Sequence, residues 1–249
     1  PRVRRQRQMC IRDRYDHVSE AFEALNEGEE KLKRSIELGV GQLKIGVSST
    51  LCKYMLLPYL KEFIHRNPHI SISIECQSTN ETLKLLDDDK IDIGLIGKPA
   101  SLKTFNFYYL DNIEDIFVTT KDYLRNLSAR GVKKSEILQN STLMLLDKGN
   151  MTRKYIDDYL QENQIHVKDS IDISNMDLLI DFAKIGVGVA CVIKSIVSKE
   201  LADGTLIEIP LGIPIHKREV GFAYKESSKL STSLQTFIKF YESYTPEDF

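Results

Sequence analysis

The sequence predicts an α/β protein built as two lobes. Its 249 residues are enough for two cores of about 100 residues each. Short apolar strand patterns alternate with helical ones. The same order of patterns occurs twice, over 41–99 and again over 141–193. An apolar fraction of 42% beside 28% charged residues excludes a disordered, collagenous or multi-span membrane chain. No apolar run approaches the roughly 20 residues that span a bilayer. The N-terminal arginines precede no apolar stretch of the secretory kind. A cytoplasmic location with no membrane partner is expected.

Residues 1–14 hold six arginines and one aspartate without an apolar period. They read as a basic arm that touches phosphates or as a leader foreign to the domain, and the second reading is preferred. The other 235 residues carry 28 basic and 35 acidic side chains, so the body has no general attraction to nucleic acid. Tyr15, Val18, Phe22, Leu25, Leu32 and Ile36 recur at steps of three and four, with Glu29 interrupting. That is a heptad seam, closed by Gly39-Val-Gly41. Residues 15–39 are therefore expected to form a linker helix that dimerises; packing on its own domain is the alternative.

Leu43, Ile45 and Val47 then point one face of a strand inward. Ser48-Ser49-Thr50 opens a helix to about Arg66, with Pro58 kinking it or starting a fresh first turn. Ile70, Ile72, Ile74 and Cys76 alternate with polar residues as a half-buried strand. Ser78-Thr79-Asn80-Glu81 opens a helix through Leu83, Leu85 and Leu86. IDIGLIG (91–97) is a buried strand ending at Lys98-Pro99. In the second half, STLMLL (141–146) is a buried strand, and a polar turn to Thr152 enters a helix bearing Tyr155, Ile156, Tyr159 and Leu160. A strand near 167–173 follows. Ser174-Asn175 caps a helix through Phe182, and GVGVACVI (186–193) is a glycine turn into a buried strand. A strand near 219–225 and a helix from Ser231 to about Tyr244 close the chain. Strands separated by helices predict parallel sheets.

Several motifs are set aside. Gly186-Val-Gly188 follows a helix and precedes a strand, the wrong order for a dinucleotide turn. His65 and His69 have metal-pair spacing, but Pro68 breaks the helix between them. Asp87-Asp88-Asp89 lacks the glycine of a calcium loop and reads as a solvated turn. Cys10, Cys52, Cys76 and Cys191 form no CxxC pair and read as reduced, mostly buried thiols. No G-x-S-x-G and no nucleophile–base set is present. No catalytic residue, cofactor or metal is expected.

The stretch GQLKIGVSSTLCKYMLLPYLKEFIHRNPHISISIECQSTNETLKLLDDDKIDIGLIGKP (41–99), with SNMDLLIDFAKIGVGVACV (174–192), resembles the effector-binding domain of LysR-type transcriptional regulators. The resemblance covers about residues 15–249. It implies a two-lobed, periplasmic-binding-protein-like (type 2) fold after a linker helix. Lobe I would comprise 41–116 plus 221–249, and lobe II 117–220. Chain crossings would lie near 115–119 and 219–224. It also implies a small-molecule effector between the lobes, a homodimer or homotetramer, and no enzymatic activity. The family carries an N-terminal winged helix-turn-helix that this sequence does not show, so DNA binding is expected only through such a domain. A solute-binding protein of a transport system is the alternative, and an enzyme on the same scaffold a third reading.

In open α/β sheets, ligands bind beyond the carboxyl ends of strands. Ser48, Ser49, Thr50, Lys98, Asn150, Met151, Thr152, Ser174, Asn175 and Met176 fall at such ends, and Thr119 joins them as a candidate. Three of these segments open helices, whose free N–H groups favour anions. With hydroxyls and one lysine nearby, a small anionic metabolite is the expected ligand. The plainer reading is that the Ser and Asn residues only cap helices, that Lys98 is solvated and that Met151 and Met176 are packing.

Overall fold

The computed structural model describes residues 41–99, 104–226 and 230–245, with 15, 17, 18, 22–26, 28 and 29 upstream. The basic head and much of the expected linker helix lie outside the described residues. The described upstream positions are helical, and Tyr15, Val18, Phe22 and Leu25 are exposed.

The first sheet opens with β1 (Gly41–Val47). Ser48 caps α1 (Ser49–Leu51), which runs into a π-helical turn, Cys52–Leu56, and then α2 (Leu57–Arg66). The π turn is how the helix accommodates Pro58. The ring lacks an N–H and sits in the first turn of α2, where no intrahelical donor is needed. Then come β2 (Ile70–Cys76), α3 (Thr79–Asp87), β3 (Ile93–Gly97) and β4 (Phe105–Ile113). The second sheet uses β5 (Asp115–Thr119), α4 (Lys121–Ala129), α5 (Ile137–Asn140) and β6 (Thr142–Leu146). It continues with α6 (Met151–Glu162), β7 (Asp169–Ile173), α7 (Met176–Lys184), β8 (Val189–Ile193), α8 (Ser198–Asp203) and β9 (Ile207–Glu208). The chain ends with β10 (Arg218–Lys225) and α9 (Thr232–Ser243). No helix among the described residues is long and apolar enough to cross a membrane.

The strand orders are β2-β1-β3-β10-β4 and β7-β6-β8-β5-β9. In each sheet the first three strands are parallel, joined by helical crossovers as the alternation predicted. The last two strands of each are antiparallel, so both sheets are mixed rather than parallel. The cause is connectivity: β10 and β5 reach their sheets directly from the opposite lobe, not over a crossover helix. The chain changes sheets at Glu114, between β4 and β5, and returns between β9 and β10.

The first lobe's core is aromatic. Phe63 meets Phe237 edge-on at 4.9 Å, and Phe222 stacks on Tyr241 at 4.6 Å, so α9 packs beneath α2 and β10. The predicted inward alternation of β2 fades along the strand: Ile70 is buried, but Ile74 and Cys76 are exposed, because β2 is an edge strand. The glycine turn after α7 has a steric basis. Gly186 has φ +76°, and a Cβ on Gly188 would lie 2.2 Å from the Thr142 carbonyl oxygen.

Candidate functional site

A cavity of about 480 Å³ opens between the sheets. One lobe contributes the end of β1 with the first turn of α1, the start of α3, and the end of β3. The other contributes the first turn of α6. The two crossing segments line it at Ile113 and at Lys217, Arg218 and Glu219.

The helix starts are fixed by their own caps. Ser48 Oγ accepts from the Leu51 N–H at 3.3 Å, Ser78 Oγ from Glu81 at 3.3 Å, and Asn150 Oδ1 from Thr152 at 2.8 Å. Each cap keeps a donor in hand: the serine O–H, or the asparagine NH₂. Capping and ligand contact are thus compatible at one residue. Arg153 holds the α6 turn in place. It is buried, and its guanidinium donates to the Leu146 carbonyl (2.9 Å), to Asp157 (2.8 Å) and to Asp172.

Arg218 is the centre of the site. Its Nε and Nη2 donate to the two Asp115 oxygens at 2.8 and 2.9 Å, a bidentate pair. Nη2 also reaches Thr152 Oγ1 at 3.2 Å. The guanidinium lies 5.1 Å over the Tyr155 ring, which is anchored by its hydroxyl donating to the His216 carbonyl. Nη1 faces the end of β3, 4.0 Å from where a Cβ on Gly97 would sit. Arg218 therefore stands on a first-sheet strand and grips the second lobe at two points, Asp115 on β5 and Thr152 on α6. Asp115 is buried, and burial raises its carboxyl above the ordinary range although Arg218 pulls the other way. Lys98 pairs with Glu219 across the mouth. Lys217 bonds Glu114 at 3.0 Å and, with Lys194, holds that carboxyl below its usual range.

Of the residues expected from sequence, the cavity gathers Ser48, Thr50, Lys98, Asn150, Met151 and Thr152. Ser49, Asn175 and Met176 line a neighbouring opening with Thr50, Tyr54, Asp177 and Leu178. Ser174 is exposed, just before the cap residue Asn175. Thr119 is fully buried in β5, and its hydroxyl donates to the Gly188 carbonyl at 2.7 Å; it does not face the cavity. Sequence reasoning missed Ser78, Tyr155, Arg218 and Glu219. Ser78 was visible as a cap in the same position as Ser48, one strand over. Glu219 also places a carboxylate in the cavity.

The family model for the LysR substrate binding domain matches residues 37–245. The chain belongs to this LysR family. Among curated relatives, the "Uncharacterized HTH-type transcriptional regulator YeiE" of Escherichia coli (strain K12) is 23% identical over 201 residues, covering 80% of this chain and 67% of that protein. The HTH-type transcriptional activator CmpR of Synechocystis is 25% identical, covering 80% and 65%. The chain thus spans about two thirds of the length of these relatives. Among solved structures, the Synechocystis CcmR regulatory domain in complex with 2-PG superposes with a TM-score of 0.68 at 18% identity, covering 80% of this chain and 95% of that one. The fold is accordingly the two-lobed, periplasmic-binding-protein-like type of LysR regulatory domains, and the chain is a small-molecule-sensing domain of that class. The matched relatives are transcriptional regulators, which does not favour the transport reading.

Proposed function

We propose that this LysR domain senses a small anionic metabolite held between its lobes, and that it is not an enzyme. The observation that carries this is Arg218: a guanidinium in the cavity wall, joined to both sheets, with Nη1 turned toward Gly97 and the cavity. Ser48 and Thr50 on one side, Asn150 and Thr152 on the other, and Lys98 at the mouth complete the contacts. An anion bridging them favours the closed arrangement by its greater affinity for it, and the linker helix carries the change onward. Glu219 selects among anions, because a ligand that takes Lys98 from it does best with a positive group of its own. DNA contact is assigned to a helix-turn-helix domain outside the described residues.

The test is calorimetric titration with sulfate, phosphate and small carboxylates, set beside cationic and neutral compounds. An anion is expected to bind, and Arg218→Lys is expected to weaken it by about 1.5–3 kcal/mol, the cost of a hydrogen bond lost to a charged group. Circular dichroism checks that the variant is folded. Binding of cationic or apolar compounds alone, or normal anion binding by the variant, refutes the reading.

We also assign the domain to a homodimer or a homotetramer. The first lobe exposes Leu57, Ile64 and Ile74 on α2 and β2, and the second exposes Ile171, Leu178, Phe182 and Ile185 on and beside β7 and α7. A two-fold pairing of one face with the other covers both. Sedimentation should give a dimer or larger, and Phe182→Glu with Ile185→Glu should give a monomer; a wild-type monomer overturns it.

A further inference from the structure

The second lobe holds a separate cavity of about 230 Å³. It lies toward the end of α6, whose first turn lines the cleft. Three stretches form it: the short helical segment 134–139, the end of α6 with Asn163 and Ile165, and the irregular return from β9 toward β10 over 209–213. Its walls are apolar. Ile137, Leu138 and Ile209 are buried, and Ile165 and Leu211 half-buried. Ile213, which also lines it, is 57% exposed. Lys134 is the one charged lining residue, and none is acidic. Volume and chemistry together define an occupant. An apolar cavity of about 150 Å³ admits benzene, so this one has room for a ring or branched chain with a short polar arm. A lysine and no acid on an apolar wall fit that arm as a carboxylate.

This cavity shares no lining residue with the cleft, yet two tyrosines join them. Tyr155 and Tyr159 are four residues apart, on one face of α6. The Tyr159 hydroxyl donates to the Ile213 carbonyl and the Tyr155 hydroxyl to the His216 carbonyl, each at 2.5 Å. At its start the same return segment is tied to β5, where the Ile209 N–H donates to the Phe117 carbonyl at 2.8 Å. The segment is thus pinned to α6 just before Arg218, which itself lies over the Tyr155 ring. A molecule resting on Tyr159 and Ile213 braces the stretch that delivers Arg218 to the cleft.

We propose that the second lobe binds a small, mainly apolar carboxylic acid in this cavity, and that occupancy steadies the return segment and Arg218. The ring or branched chain lies among Ile137, Leu138, Ile165 and Leu211, and the carboxylate meets Lys134. The tyrosine clasps carry the effect: Tyr159 belongs to the pocket wall and Tyr155 to the cleft. The pocket is thereby a second input to the cleft, with a different ligand chemistry. Because the two share no residue, failure of either reading leaves the other standing.

The test titrates the native chain with phenylacetate and with its neutral counterpart phenylacetamide, read by methyl resonances and amide exchange. Phenylacetate should shift the methyls of Ile137, Leu138, Ile165 and Ile213 and slow exchange over 213–218. It should bind about two- to fivefold more tightly than the amide, the range of an exposed ion pair. Lys134 is exposed, so Lys134→Met should stay folded, and it should erase that difference. Tyr159→Phe should still bind phenylacetate but lose the slowed exchange over 213–218, because the clasp to Ile213 is gone. Four results overturn the proposal. They are shifts confined to Ile113 and Ile193, which line the cleft, an amide that binds the native chain as well as the acid, unchanged exchange over 213–218, and the same methyl shifts on dilution alone, which would give the pocket to a second copy of the chain.

Discussion

Two of the ion pairs among the described residues, both joining one lobe to the other, differ in nearly every respect. Asp115 and Arg218 sit where the chain crosses between the sheets, with side chains 0% and 15% exposed. Lys53 and Asp177 meet beside the neighbouring opening, 53% and 49% exposed, at 2.7 Å, with the Tyr54 hydroxyl on the same Asp177 oxygen. The first pair lies beside the covalent crossings, which move least when two lobes part. The second joins the π-helical turn of one lobe to the first turn of α7 in the other, elements with no strand between them. Burial and place together make the first pair an axle and the second a reporter of closure. Counting both as inter-lobe salt bridges would hide this.

The largest expected effect separates them at once. Asp115→Ala strands Arg218 without its partner and should cost about 3–5 kcal/mol in urea unfolding. Asp115→Leu combined with Arg218→Met should recover much of that loss while abolishing anion binding, since buried pairs stabilise little relative to apolar replacements. If Asp115→Ala is harmless, the axle is not there.

At the other extreme, Asp177→Asn should leave the urea midpoint unchanged, because exposed pairs contribute little. Its effect should be on shape. Hydrogen bonds from Lys53, then Tyr54, hold the Asp177 carboxyl below its usual range. A lowered carboxylate contributes above its unfolded-state value and loses that contribution as pH falls through the lowered one. Small-angle scattering on acidification should therefore show the native lobes parting in that window, while the Asp177→Asn domain starts open and does not change. Identical profiles for the two proteins would remove the distinction.

Much of this was legible beforehand, and the limits have physical causes. Apolar alternation and cap residues act locally, so β1, β3, β6 and β8 and the starts of α3, α6 and α7 could be read directly from the chain. The capped turns at Ser48, Asn150 and Thr152 led to the cavity for the same reason. What escaped depends on pairing across the chain. Arg218 gains its role from Asp115, 103 positions away, and from Thr152, 66 positions away. Thr119 looked like a site residue at a strand end, but the close approach of β8 turned its hydroxyl to a backbone carbonyl. Strand β4 was missed because an edge strand with partly exposed aromatics has no clean period of two. The antiparallel strands were missed because the alternation rule assumes a crossover helix between neighbours.

The interlaced connectivity also sets an order of birth for the molecule. All strands of the second sheet fall within 115–208, so that sheet can close once this stretch has left the ribosome. The first sheet cannot. Its β10 must slip between β3 and β4, and β4 has no other neighbour, yet β10 starts only at Arg218. At about 5–20 residues per second, β4 waits roughly 5–20 seconds with both edges bare, and the aromatic core waits longer still for α9. The half of the protein made first is the half finished last, and during that interval it depends on whatever shields an unpaired strand in the cell.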